Sequence, residues 1–207
     1  MDRCFPAAMS KSRLIKLAAL TGLIGPLLFA VVIVGLTIVQ ADFMRTLGWD
    51  PFGPVIDWPS GLALGPYGWL LTVTFPFAGA AMLFFAYGLR LVLREKLGTT
   101  LLMLAGCAMM GLVFTTDPTL GAISRTWHGI LHDAFFVLLG LTLMPAILVL
   151  GFVFWRNAQW KDLAIYTWCT VALAVPTFWL KGVAFYVFLL AILVWNEVIA
   201  MRLKSMG

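Results

Sequence analysis

Both histidines of the chain lie one helical turn apart, in Ser124-Arg125-Thr126-Trp127-His128-Gly129-Ile130-Leu131-His132-Asp133. An i, i+4 pair puts two imidazoles on one helix face, where their nitrogens can reach a single zinc ion. Asp117, in Thr115-Thr116-Asp117-Pro118, or Asp57 could add an oxygen ligand. The candidate metal ligands are therefore His128, His132 and Asp117, with Asp133 or Asp57 orienting a ligand or accepting a proton, so that Asp117, Asp133 and Asp57 are the candidate catalytic carboxylates. A zinc-bound water is a nucleophile near neutral pH. The signature is sparse, however: no Glu follows the first His as in the zinc-protease helix. A plainer reading has both imidazoles hydrogen-bonding loop carbonyls and Asp117 capping the next turn. A third is proton sensing, because an unperturbed imidazole titrates at about pH 6.5.

The elements that must position these residues follow from composition. Of 207 residues 62% are apolar and only 11% are charged, and the mean hydropathy is +1.00. A soluble domain cannot bury so much, so the surrounding solvent must be largely lipid. This excludes a soluble enzyme, a disordered tail and a disulfide-rich secreted scaffold. At about 20 apolar residues per crossing, the chain has enough for about six spans. They are read at 17–39, 69–88, 99–116, 134–155, 163–180 and 182–201, in one integral membrane domain over 1–207. No period-2 alternation argues for a barrel, so the predicted fold is all-α, a polytopic helix bundle with six transmembrane helices.

Basic residues set the orientation. Eleven fall on one side of the spans as drawn (Arg3, Lys11, Arg13, Lys16, Arg90, Arg94, Lys96, Arg156, Lys161, Arg202 and Lys204) and three on the other (Arg45, Arg125 and Lys181). Both termini are thus expected to be cytoplasmic in a cell (inner or plasma) membrane, with the histidines at the outer face, where lipid esters or amides would be the substrates at hand. The first span is longer than a usual signal-peptide core and is expected to be retained. Most of the nine Trp fall at span ends and read as an aromatic belt, while Pro26, Pro76, Pro145 and Pro176 fall inside spans. Cys107 and Cys169 are expected to be buried small hydrophobes, with no disulfide framework. The basic residues flank spans and form no patch suited to nucleic acid.

The outer segment 41–68 is too apolar for a loose linker and is expected to fold over the bundle as a lid. Beneath it, Trp58, Tyr67, Thr74, Trp127, His128 and His132 form the candidate ligand-binding set. Arg90 and Glu197 lie near inner span ends, which disfavours ion-coupled transport, and Asn196 is expected to join the sixth helix to a neighbour.

The run Asp57 to Arg90, centred on Leu62-Ala63-Leu64-Gly65-Pro66-Tyr67-Gly68-Trp69, followed by Thr116-Asp117-Pro118 and Thr126-Trp127-His128-Gly129-Ile130-Leu131-His132, resembles the bacterial and archaeal membrane proteins called domain of unknown function 998. The resemblance covers spans two to four and extends beyond them by hydropathy. It implies a six-helix integral membrane fold and brings no established activity. Family members often carry Gln and Asn where this chain has Leu71 and Thr74, which weakens any site built on those amides. A looser likeness to alkaline ceramidase and adiponectin-receptor-type hydrolases, which use histidines and an Asp at a membrane zinc site, implies the enzyme alternative, though this chain has fewer histidines than their pattern.

The leading expectation is therefore binding of a lipid, a small outer-face ligand or a membrane partner. A metal-dependent hydrolase of lipid-like substrates, with zinc as its cofactor, is the second. A structural subunit of a membrane complex, or a homo-oligomer, is the third.

Overall fold

A computed structural model of the chain describes residues 10–48, 58–118, 124–180 and 183–207. Among these residues all regular structure is helical: α1 (Lys11–Val39), α2 (Ala41–Thr46), a 3-10 helix (Pro59–Leu64), α3 (Gly68–Leu93), α4 (Leu97–Gly111), α5 (Trp127–Trp155), α6 (Asp162–Trp179) and α7 (Val183–Lys204). Four helices, α1, α3, α5 and α7, are long and apolar enough to cross a membrane, while α4 and α6 are apolar but shorter.

Local chemistry sets the helix ends. The Ser10 hydroxyl accepts from the Arg13 N–H at the start of α1. The Glu95 carboxylate accepts from the backbone N–H groups of Leu97, Gly98 and Thr99 at 2.6, 3.1 and 3.2 Å, which satisfies donors that the first turn of α4 leaves open. Arg94, in the left-handed region at φ 55°, ends α3 just before it. Pro26, Pro76, Pro145 and Pro176 lie within α1, α3, α5 and α6. Threonine hydroxyls turn back onto carbonyls four residues earlier at Thr37, Thr74, Thr142 and Thr167, so these polar groups need no water.

The six longer helices form a closed ring. Each packs on the next, from α1 to α3, α4, α5, α6 and α7, and α7 returns to α1. Small residues allow the close seams. A Cβ built on Gly79 would stand 2.5 Å from the Gly106 carbonyl oxygen, and one on Gly25 would be 2.7 Å from the Ala81 methyl. The ring closes where Asn196 Nδ2 donates to the Gly22 carbonyl at 2.6 Å, the helix-joining role its sequence position suggested. Trp195 Nε1 donates to the Thr167 hydroxyl at 3.1 Å across α6 and α7.

Several boundaries differ from those read in the sequence. The third span, drawn to residue 116, is helical only to Gly111, where the Phe135 ring packs directly against the glycine and the chain leaves the helix. The fourth begins at Trp127 rather than at 134, capped by Thr126, which Asp117 holds in place. Cys107 and Cys169 lie on the outside of the ring and are not buried. Lipid accepts apolar groups on that surface, so apolarity alone does not mark the inside. In the 41–68 segment, residues 49–57 lie outside the described residues. The remainder is pinned to the bundle end: Met44 and Leu62 are fully buried, Gln40 Nε2 donates to the Leu62 carbonyl at 2.5 Å, and Gln40 Oε1 accepts from Tyr67 N at 3.3 Å.

Candidate functional site

Two layers stack at the end of the bundle where α4 gives way to α5. The outer layer is polar. After Gly111 the chain makes a turn and runs without regular structure through 115–118, bringing Asp117 against the first turn of α5. One Asp117 oxygen accepts from the Thr126 N–H at 2.9 Å, and the other accepts from the Thr126 hydroxyl at 2.5 Å. That hydroxyl in turn accepts from Gly129 N at 3.1 Å, making Thr126 the N-cap of α5. Gly129 is required here, because a Cβ would run into the Asp117 carboxylate. Arg125 spans two acids, Asp117 at 3.4 Å and Asp133 on its other arm. The Thr126 hydroxyl and N–H, aided by Arg125, hold the Asp117 carboxyl below its ordinary range. Asp133, with the smaller help of Asp117, raises the Arg125 guanidinium further.

The two imidazoles fasten this segment from the α5 side. His128 Nδ1 lies 2.9 Å from the Thr115 carbonyl and 2.9 Å from the Thr126 hydroxyl, and His132 Nδ1 lies 2.7 Å from the Phe114 carbonyl. Two successive carbonyls of the segment that follows α4 are thus taken by residues one turn apart on α5. A carbonyl only accepts, so Nδ1 carries the proton in each ring, and Nε2 of the neutral ring keeps its lone pair. The plainer sequence reading, with imidazoles on loop carbonyls and Asp117 at a cap, describes these contacts.

The inner layer is a cavity of about 100 Å³ at the centre of the helix ring. Phe29, Phe75, Met109, Phe136, Phe185 and Leu193 form much of its wall, and Trp58 to Ser60 contribute from the loop. The Trp58 ring sits 5.1 Å from Phe136 and 5.0 Å from Phe185, centroid to centroid. No Asp, Glu, Lys or Arg is among the described lining residues. His132 is also part of the wall, edge-on to Phe75, and is only 2% exposed. Its Nε2 is buried and has no hydrogen-bond partner among the described residues.

Of the candidate binding residues, Trp58 and His132 meet at this cavity and the others do not line it. His128 belongs to the polar layer. Tyr67 is 50% exposed on the bundle's outside. Thr74 is buried, with its hydroxyl bonded to the Leu70 carbonyl at 2.6 Å. Trp127 is 68% exposed and lies edge-on to Phe114 and His128. Among the described residues no three His, Cys, Asp or Glu side chains gather as a ligand set; Asp117 is engaged by Thr126 and Arg125, Asp133 is exposed and paired with Arg125, and Asp57 lies outside the described residues. Sequence reasoning did not find Phe136, Phe178 and Phe185 around Trp58. Phe136 could have been found, since it stands one turn beyond His132. Phe178 and Phe185 arrive from remote segments with no local mark.

The model of a protein family described as "Protein of unknown function (DUF998)" matches residues 23–202, from within α1 to near the end of α7. The chain belongs to the DUF998 family. The match takes in the described cavity-lining residues apart from Thr21 and Gly22, as well as the histidine segment. No curated protein and no solved structure matches the chain. This DUF998 member is an all-helical protein whose apolar helices are those of a multi-pass membrane protein.

Proposed function

We propose that this DUF998 protein crosses the membrane six times, with both termini cytoplasmic, and binds an apolar chain in the cavity at the centre of its ring. The eleven-to-three partition of basic residues supports the orientation. At 1.5 Å per residue, α4 and α6 run to about 22 and 27 Å, short of a hydrocarbon core of about 30 Å. The turn and irregular segment after α4, tied down by the histidines, would complete that crossing. The 41–68 segment would then cover the outer mouth, with Trp58 as the part that reaches inward.

One observation carries the binding reading: a cavity walled mainly by apolar side chains and by no charged one among the described residues, at the join of six helices, that keeps one unsatisfied nitrogen in its wall. An apolar void of about 150 Å³ in a protein interior takes up a ring the size of benzene, so this smaller one suits one end of a single alkyl chain and excludes a pair. The zinc-hydrolase reading stands second. A metal there would be offered Nε2 of each imidazole, and Asp117 would have to leave Thr126 and Arg125.

The test is to fill the space. Wild-type protein carried through exhaustive detergent exchange should retain a chain-bearing molecule, detected by native mass spectrometry. Ala78→Phe, which places a ring in the cavity wall, should fold with unchanged helicity and retain none. Equal retention by both proteins would place the bound molecule elsewhere, and an empty wild type would favour the structural-subunit reading.

A further inference from the structure

We infer that the molecule held in the cavity is a neutral, single-chain amphiphile whose hydroxyl group donates to Nε2 of His132. The inference rests on the binding reading above and adds the chemical class of the ligand. Its starting point is the bonding state of one ring. His132 gives its Nδ1 proton to the Phe114 carbonyl at 2.7 Å, which leaves Nε2 as an acceptor. The Leu112 carbonyl also acts on this ring, but a carbonyl is an acceptor too and cannot satisfy a lone pair. Nε2 remains buried without a partner, and leaving such a group unmet is costly.

The missing partner must therefore be a donor, and the wall selects among donors. An ammonium would need a carboxylate nearby and an anionic head would need Lys or Arg; no described lining residue supplies either. A water requires two to four polar partners to be held. The other polar wall groups are few and partly engaged: Asn196 Nδ2 is bonded to the Gly22 carbonyl and the Thr21 hydroxyl to the Ala18 carbonyl. A hydroxyl carried on an alkyl chain fits without such help, because its chain is held by Phe29, Phe75 and Phe136 while its O–H meets Nε2. The volume admits one chain, which argues against a two-tailed phospholipid.

The chain has only two histidines, so 15N-histidine labelling of the full-length protein in phospholipid nanodiscs yields two imidazoles, and His128→Asn assigns them. The probes are decan-1-ol, decane and decanoate, with native mass spectrometry reporting how much of each is retained. Decan-1-ol should move the His132 Nε2 resonance upfield while His128 stays in place. Decane should leave both rings unmoved, and decanoate should not be retained. In His132→Phe, decan-1-ol retention should fall about fivefold, to that of decane, the loss expected for one hydrogen bond. Should that variant fail to fold, the wild-type spectra still decide. Retention of decane and decan-1-ol alike, with Nε2 unmoved, overturns the hydroxyl pairing and leaves the cavity reading standing. No retention of any probe overturns both. An Nε2 already hydrogen-bonded before any probe is added, in protein that native mass spectrometry shows to carry no retained molecule, means that water is the partner and also overturns the inference.

Discussion

His128 and His132 share a helix, a face and a bonding pattern, yet only one of them faces a void. Each gives Nδ1–H to a carbonyl of the segment that follows α4. His128 does so in the polar layer with Asp117, Thr126 and Arg125, where the Thr126 hydroxyl also reaches the same nitrogen. His132, one turn deeper, lies edge-on to Phe75 in the cavity wall and has an idle second nitrogen. One turn of helix therefore separates a fastening from a candidate binding group. Identical residue type and identical local bonds say little about role until the environment of the other ring edge is known.

The comparison breaks most directly under alanine substitution. His132→Ala removes a buried ring and leaves the Phe114 carbonyl unmet, so a loss of about 2–4 kcal/mol is expected. His128→Ala should cost about 0.5–1.5 kcal/mol, since its ring is only partly buried. Denaturation in a single detergent measures both, and equal losses would erase the distinction drawn here. Thr126→Ala comes next, at about 1–2 kcal/mol, because it removes the α5 cap and a donor to Asp117. Its effect should appear at the polar layer alone, leaving ligand retention in the cavity unchanged.

Acid gives the smallest effect and the cleanest sign. Asp117 is held below its ordinary value of 3.8, so the folded state favours its charged form. The stability that this provides is complete above that value and drains away as the pH falls below it, toward the folded-state pKa. Melting temperature followed downward through that range should drop more in the wild type than in Asp117→Asn. Parallel curves would show that the latch draws nothing from this carboxylate.

Much of the bundle is legible in the sequence. Helices in lipid announce themselves by long apolar runs, and α1, α3, α5 and α7 were located in this way. Bonding to loop carbonyls is one of three roles that the spacing of His128 and His132 leaves open, beside a metal and proton sensing. The interior was harder to read. In water, an apolar residue is evidence of burial; in lipid, Cys107 and Trp127 can face outward at little cost, so the periodicity that marks an inner face is lost. The end of α4 was misplaced because Leu112 to Phe114 remain apolar after the helix has stopped. Trp58 was singled out, but its partners Phe178 and Phe185 sit more than a hundred residues away and meet it only once the ring is closed.

The Asn196 to Gly22 contact has a consequence for biogenesis. The ring is completed by its last helix, and α7 supplies Phe185, Phe188 and Ile192 to the cavity wall. Until that helix leaves the translocon and docks on α1, the five earlier helices enclose no pocket, only a slot open sideways to the bilayer. On the binding reading proposed above, the site would come into being only when the final helix docks, so a chain shortened by its last helix would lose the whole cavity rather than one wall of it.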